Sequence, residues 1–79
     1  MITRHDDVHR VTHYGAAPLV DHAGYSVEVG VEDGSDLMSI RVGLTDTPCH
    51  AIRADLPTAA VAELRDRCDA FLHDHQEPQ

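Results

Sequence analysis

The sequence contains no lysine, no asparagine and no tryptophan, and its only aromatic residues are Tyr14, Tyr25 and Phe71. Without lysine, all formal positive charge falls on arginine, six side chains against fourteen acids, for a net charge of −8. Ordinary phosphate-backbone binding needs clustered positive charge, so the balance argues against direct nucleic-acid binding and for a protein partner with a basic surface. So few aromatics imply an aliphatic, thin core. No apolar run approaches the roughly 18 residues of a membrane span. The opening residues, Met1 to Asp7, lack the apolar segment of a signal peptide. A cytoplasmic protein with no membrane partner is the expectation.

Catalytic signatures are lacking as well. There is no P-loop, dinucleotide fingerprint, nucleophile elbow or HExxH motif. Cys49 and Cys68 have no metal or redox spacing and read as reduced thiols. Cys49 adjoins His50, but strand neighbours point to opposite faces and cannot form an ordinary dyad. The expectation is a protein that is not an enzyme and carries no cofactor.

What the sequence does hold is a hairpin. Tyr25, Val27, Val29 and Val31 alternate with Ser26, Glu28, Gly30 and Glu32. Beyond Asp33-Gly34-Ser35-Asp36 the alternation resumes with Met38, Ile40, Val42 and Leu44. Period-two patterning on both sides of an Asp-Gly turn predicts a β-hairpin. A loop at 33–36 sets Val31 opposite Met38, Val29 opposite Ile40, Val27 opposite Val42 and Tyr25 opposite Leu44. All eight apolar side chains then share one face, and a slip of one residue would destroy that match. Thr45 to Pro48 reads as a turn, and Cys49 to Ala54 as a return strand with Val42 opposite Ile52, Ile40 opposite Ala54 and Leu44 opposite His50. Leu56, Ala60, Val61, Leu64, Cys68, Phe71 and Leu72 then recur at three- and four-residue steps, the stripe of an amphipathic helix. Asp55 is placed to cap it, with Pro57 in its first turn.

The expected architecture is therefore α+β: an antiparallel β-meander of three to four strands with one C-terminal amphipathic helix packed on one face. Residues 1–7 read as a flexible N-terminal arm, 8–75 as a single domain and 76–79 as a tail. Seventy-nine residues barely suffice for one core. One helix covers only part of a four-stranded sheet, so a homodimer is expected.

Two residue groups stand out as candidate sites. Glu28, Glu32, Asp33 and Asp36 cluster on the outer face and tip of the hairpin, as a partner-binding surface or an imitation of nucleic-acid phosphates that inhibits a nucleic-acid-binding protein. The bland alternative is a solvated face that resists aggregation. His5, His9 and His13, four apart, hold donors for a transition metal. On one strand, four-residue steps span about 13 Å, too far for one ion. A helix brings two at a time within reach, but Val8 to Thr12 favours a strand. The main reading is a small acidic, non-catalytic interaction or regulatory module; the alternative is a histidine-dependent metal-binding protein.

Overall fold

The computed structural model describes residues 1–45 and 47–76, the side chains of 47–50 excepted. Alternation in the sequence becomes a single antiparallel sheet followed by one helix. The strands are β1 (Thr3–Asp6), β2 (Val11–Tyr14), β3 (Leu19–Val20), β4 (Tyr25–Glu32), β5 (Met38–Leu44) and β6 (Thr47–Leu56), and the helix is α1 (Thr58–Asp74). Strand order is β1-β2-β4-β5-β6, with β3 also paired to β4. The sheet is wider than expected because residues 3–14 contribute a hairpin of their own. The expected arm contains a strand, with Thr3 opposite Tyr14 and Asp6 opposite Val11.

A period-two search misses this hairpin because its turn is held by side-chain chemistry rather than by glycine. Asp6 Oδ1 accepts the backbone N–H groups of Val8 and His9 at 2.9 and 3.1 Å. Arg10 takes a left-handed φ of 57° and donates its N–H to the Asp6 carbonyl at 2.7 Å. β2 and β3 then share one edge of β4. β2 pairs with its C-terminal half, β3 with its N-terminal half, and Gly15 to Pro18 separates the two.

The central register is the one the apolar pattern demands. Tyr25, Val27, Val29 and Val31 face Leu44, Val42, Ile40 and Met38. Gly34, at φ 81°, turns the chain, and Ser35 N–H closes that turn on the Glu32 carbonyl at 3.0 Å. β6 pairs Val42 with Ile52 and Ile40 with Ala54 as expected, but Leu44 meets Thr47 across a register shift rather than His50. Gly43 sits at that shift, where a Cβ would come within 2.9 Å of Ala51 Cα. The return strand is therefore longer at both ends, from Thr47 to Leu56.

That extension changes the helix start. Asp55 stays in β6 and binds Arg53 at 2.9 Å, while Pro57 occupies the cap position with no side-chain cap bond. Only the first turns of α1 approach the sheet, and its main contact is with β6. No residue of α1 is buried, and every position from Arg65 onward is exposed. The helix thus extends from the sheet edge instead of lying across a face. The radius of gyration is 14.1 Å, against about 12 Å for a compact chain of this length. Among the described residues no helix is long and apolar enough to cross a membrane.

Candidate interaction surface

Directly paired residues of an antiparallel sheet project from the same side, so the registers define two faces. One carries Thr3, His5, Thr12, Tyr14, Leu19, the four apolar residues of β4, the four of β5, and Ile52, Ala54 and Leu56 of β6. The other carries Arg4, Asp6, His13, Ser26, Glu28, Glu32, Ser39, Arg41, Arg53 and Asp55 on the same strands.

The polar face is closed by its own pairings. Arg4 donates to both oxygens of Glu28 at 2.7 and 3.2 Å, and to the Gly15 carbonyl at 2.8 Å. Glu28 is accordingly only 20% exposed, not a solvated acid, and it keeps the Arg4 guanidinium above its ordinary range. Arg53 is held above its range by Asp55 first and Glu32 second, bridging the two. His13 lies over Gly30, where a Cβ would stand 3.3 Å from its Nδ1 and 2.6 Å from the Thr12 carbonyl oxygen. That Nδ1 is buried without a hydrogen bond among the described residues, 3.9 Å from Glu28 Oε2. A cleft of about 220 Å³ lies beside it, lined by Ser26, Glu28, Arg41 and Gly43 among others.

The four acids expected to form one docking patch are therefore dispersed. Glu28 serves Arg4 and Glu32 serves Arg53. Asp33 accepts from His5 Nε2 at 3.1 Å, with Arg10 Nε 3.8 Å away. Asp36 remains exposed beside a cleft of about 460 Å³ bounded by Tyr14, Val31, Leu37, Met38, Thr58 and Val61.

The three N-terminal histidines are dispersed as well. Because the β1–β2 register pairs odd with even positions, His5 meets Thr12 whereas His13 meets Arg4, on opposite faces. His9 sits in the turn and binds Asp6 Oδ2 at 2.8 Å. Its ring, then its backbone N–H, draw the Asp6 carboxyl down to about 2. His5 bonds Asp33 through one nitrogen and Asp7 through the other, at 2.7 Å. Those two carboxylates, Asp33 first, raise it above its ordinary value. Among the described residues no three His, Cys, Asp or Glu side chains gather as a metal site. The side chains of Cys49 and His50 lie outside the described ones. Cys68 is a free, exposed thiol.

The apolar face is different in kind. No hydrophobic side chain is buried among the described residues, and Val42 is 42% and Ile52 78% exposed. Tyr14, Leu19, Tyr25 and Leu44 of the same face are exposed too. Hydrophobic patterning signalled this surface, but as a core-facing one; what the pattern could not reveal is that α1 fails to cover it. No family model matches the chain, and none of the curated proteins or solved structures compared with it does.

Proposed function

We propose that this chain is a non-catalytic interaction module whose working surface is the apolar face of its sheet. The observation that carries this reading is the exposure of Val42 and Ile52 at the centre and edge of a face that is apolar throughout β4 and β5 and from Ile52 to Leu56 of β6. A large contiguous apolar patch on a free chain marks a surface built to be covered. Three of the four acids expected as the docking patch, Glu28, Glu32 and Asp33, already serve Arg4, Arg53, His5 and Arg10, which favours the apolar face over a basic partner. An exposed free thiol at Cys68 fits a reducing compartment such as the cytosol.

Carbene footprinting of the purified full chain tests the reading. Ile52 and Val42 should label far less in the native protein than in the heat-unfolded one, since an occupant covers them. Native labelling at the unfolded level would rule out the apolar face as the working surface.

A further inference from the structure

The chain presents two unpartnered apolar surfaces, not one. Besides the sheet face, α1 carries Val61, Leu64, Cys68, Phe71 and Leu72 along a single stripe. Its outer half projects beyond the sheet, with Phe71 59% and Leu72 58% exposed. Phe71 stacks on His75 at its own helix end, at 4.2 Å between ring centres. The helix is about 25 Å long, comparable to the eight-residue β4 and seven-residue β5.

Surface area says how much cover is missing. The chain exposes 6314 Å², against about 4,700 Å² for a compact protein of its mass. Two separate copies expose about 12,600 Å², and a compact particle of twice the mass about 7,900 Å². Compacting the pair therefore buries roughly 4,800 Å² in total, within the range of about 2,000–5,000 Å² typical of obligate homodimers. Charge agrees with this. On the opposite face Glu28, Glu32 and Asp55 are paired with arginines, while Asp33 pairs with His5 at the rim of the apolar face and Asp36 stays exposed beside the cleft at its hairpin end. The middle of the apolar face therefore carries no carboxylate to oppose an apolar stripe laid on it.

Resting on the reading of the apolar face as the interaction surface, we infer that its occupant is a second copy of this chain. The two copies form a two-fold dimer in which the outer half of each α1 lies on the apolar sheet face of the other. One isologous contact then satisfies the sheet face and the helix stripe of both copies at once. A partner of different sequence would have to offer a helix to the sheet and a sheet to the helix.

Light scattering of the full chain, over about a hundredfold range of concentration at about 0.15 M salt, reads the assembly directly. The expected mass is twice the 8.7 kDa of one chain. Phe71→Asp, on an exposed and locally unpacked position, should weaken association at least a hundredfold. Asp69→Arg, on the opposite side of the same helix, should not change it. A mass of 8.7 kDa at every concentration overturns the inference, as does a dimer indifferent to Phe71→Asp. Footprinting separates the two levels. Protection of Ile52 in an assembly that Phe71→Asp leaves intact overturns the exchanged-helix arrangement and keeps the apolar face as the working surface. A free monomer with Ile52 fully labelled overturns both.

Discussion

The two faces of the sheet are made by the same strands in the same registers, yet most charges of one are paired within it while the apolar side chains of the other are left uncovered. Charges on neighbouring strands satisfy each other sideways: Arg4 reaches Glu28 across two strand spacings, and Arg53 reaches Glu32 across another two. Apolar side chains gain only from being removed from water, and nothing beside them in the plane of the sheet can do that fully. They need a layer above. A polar sheet face can therefore be finished by one chain, whereas an apolar face needs a second layer. In this protein the second layer, α1, is attached at the edge and leads away.

The largest test of that contrast is a charge in the middle of each surface. Val29→Asp places a carboxylate between Val27 and Val31, opposite Ile40. Without a partner, a charge there opposes covering of the face, and the cooperative melting transition should be lost. Glu28→Lys, one residue away, is not a neutral control as simple alternation would suggest, because Glu28 accepts from both terminal guanidinium nitrogens of Arg4. Asp36→Lys, at the exposed tip, is the suitable control and should stay within about 0.5 kcal/mol of the parent. Thermal melts by circular dichroism decide it, and equal tolerance of Val29→Asp and Asp36→Lys would mean the faces are assigned wrongly.

Next in size is Gly30→Ala. Gly30 looks like an ordinary outward position in a strand, but its missing Cβ lets β2 come close and leaves room for the His13 ring. The added methyl stands 2.6 Å from a backbone oxygen, which cannot swing aside as a side-chain tip could. β2 must move, at a cost of about 1–3 kcal/mol in chemical denaturation. No loss would show that β2 is held less firmly than its pairing with β4 implies.

The β4–β5 hairpin and its pairing to β6 up to Val42 are legible because alternation over seven and eight residues leaves one register that keeps both faces consistent. The β1–β2 hairpin is not. Its four-residue strands carry Arg4, His5, Thr12 and His13 in place of an apolar alternation, and it is organised by contacts across the sheet. Arg4 answers Glu28 24 positions away, and His5 answers Asp33 28 positions away. Such pairings leave no local pattern. An isolated glycine within a strand is the one signal that could have pointed to close approach of a neighbour at Gly30. The acids are ambiguous for the same reason. Counted along the chain they look like a patch, and only the fold reveals which arginines and histidines stand beside them. Periodicity identifies the helix stripe as apolar, but it says what a face contains and not what covers it.

A third test stays on the polar face. Glu28→Gln keeps the shape but removes the charge that Arg4 grips with two bonds. The melting temperature should fall by less than for Gly30→Ala. In a double-mutant cycle with Arg4→Gln, the two losses should fail to add, since each removes the same pair. Strict additivity would show that the pair contributes nothing.

The smallest effect separates the two faces by pH, because burial of aliphatic side chains is indifferent to protonation and the turn carboxylates and histidines are not. His5 is raised from its ordinary 6.5 by Asp33 and Asp7, so the folded state holds its proton more tightly than the unfolded chain. The stability this contributes is fully present below pH 6.5 and is lost as pH rises through the higher folded value. Asp6 shifts the other way, from 3.8 to about 2. Its contribution is present above pH 3.8 and is lost as pH falls through about 2. Together they set a plateau between pH 3.8 and 6.5, with a shallow decline on each side. Both groups lie at the surface, so the decline should be small and should flatten further in high salt. Melts of the parent and of His5→Gln across this range should differ below pH 6.5 and converge on the alkaline side. A proton titration of the His5 ring by nuclear magnetic resonance should place its midpoint above 6.5. A midpoint at or below that value, with parallel melting curves for the two proteins, would show that Asp33 and Asp7 do not hold the imidazolium and that the turn is kept by its backbone bonds alone.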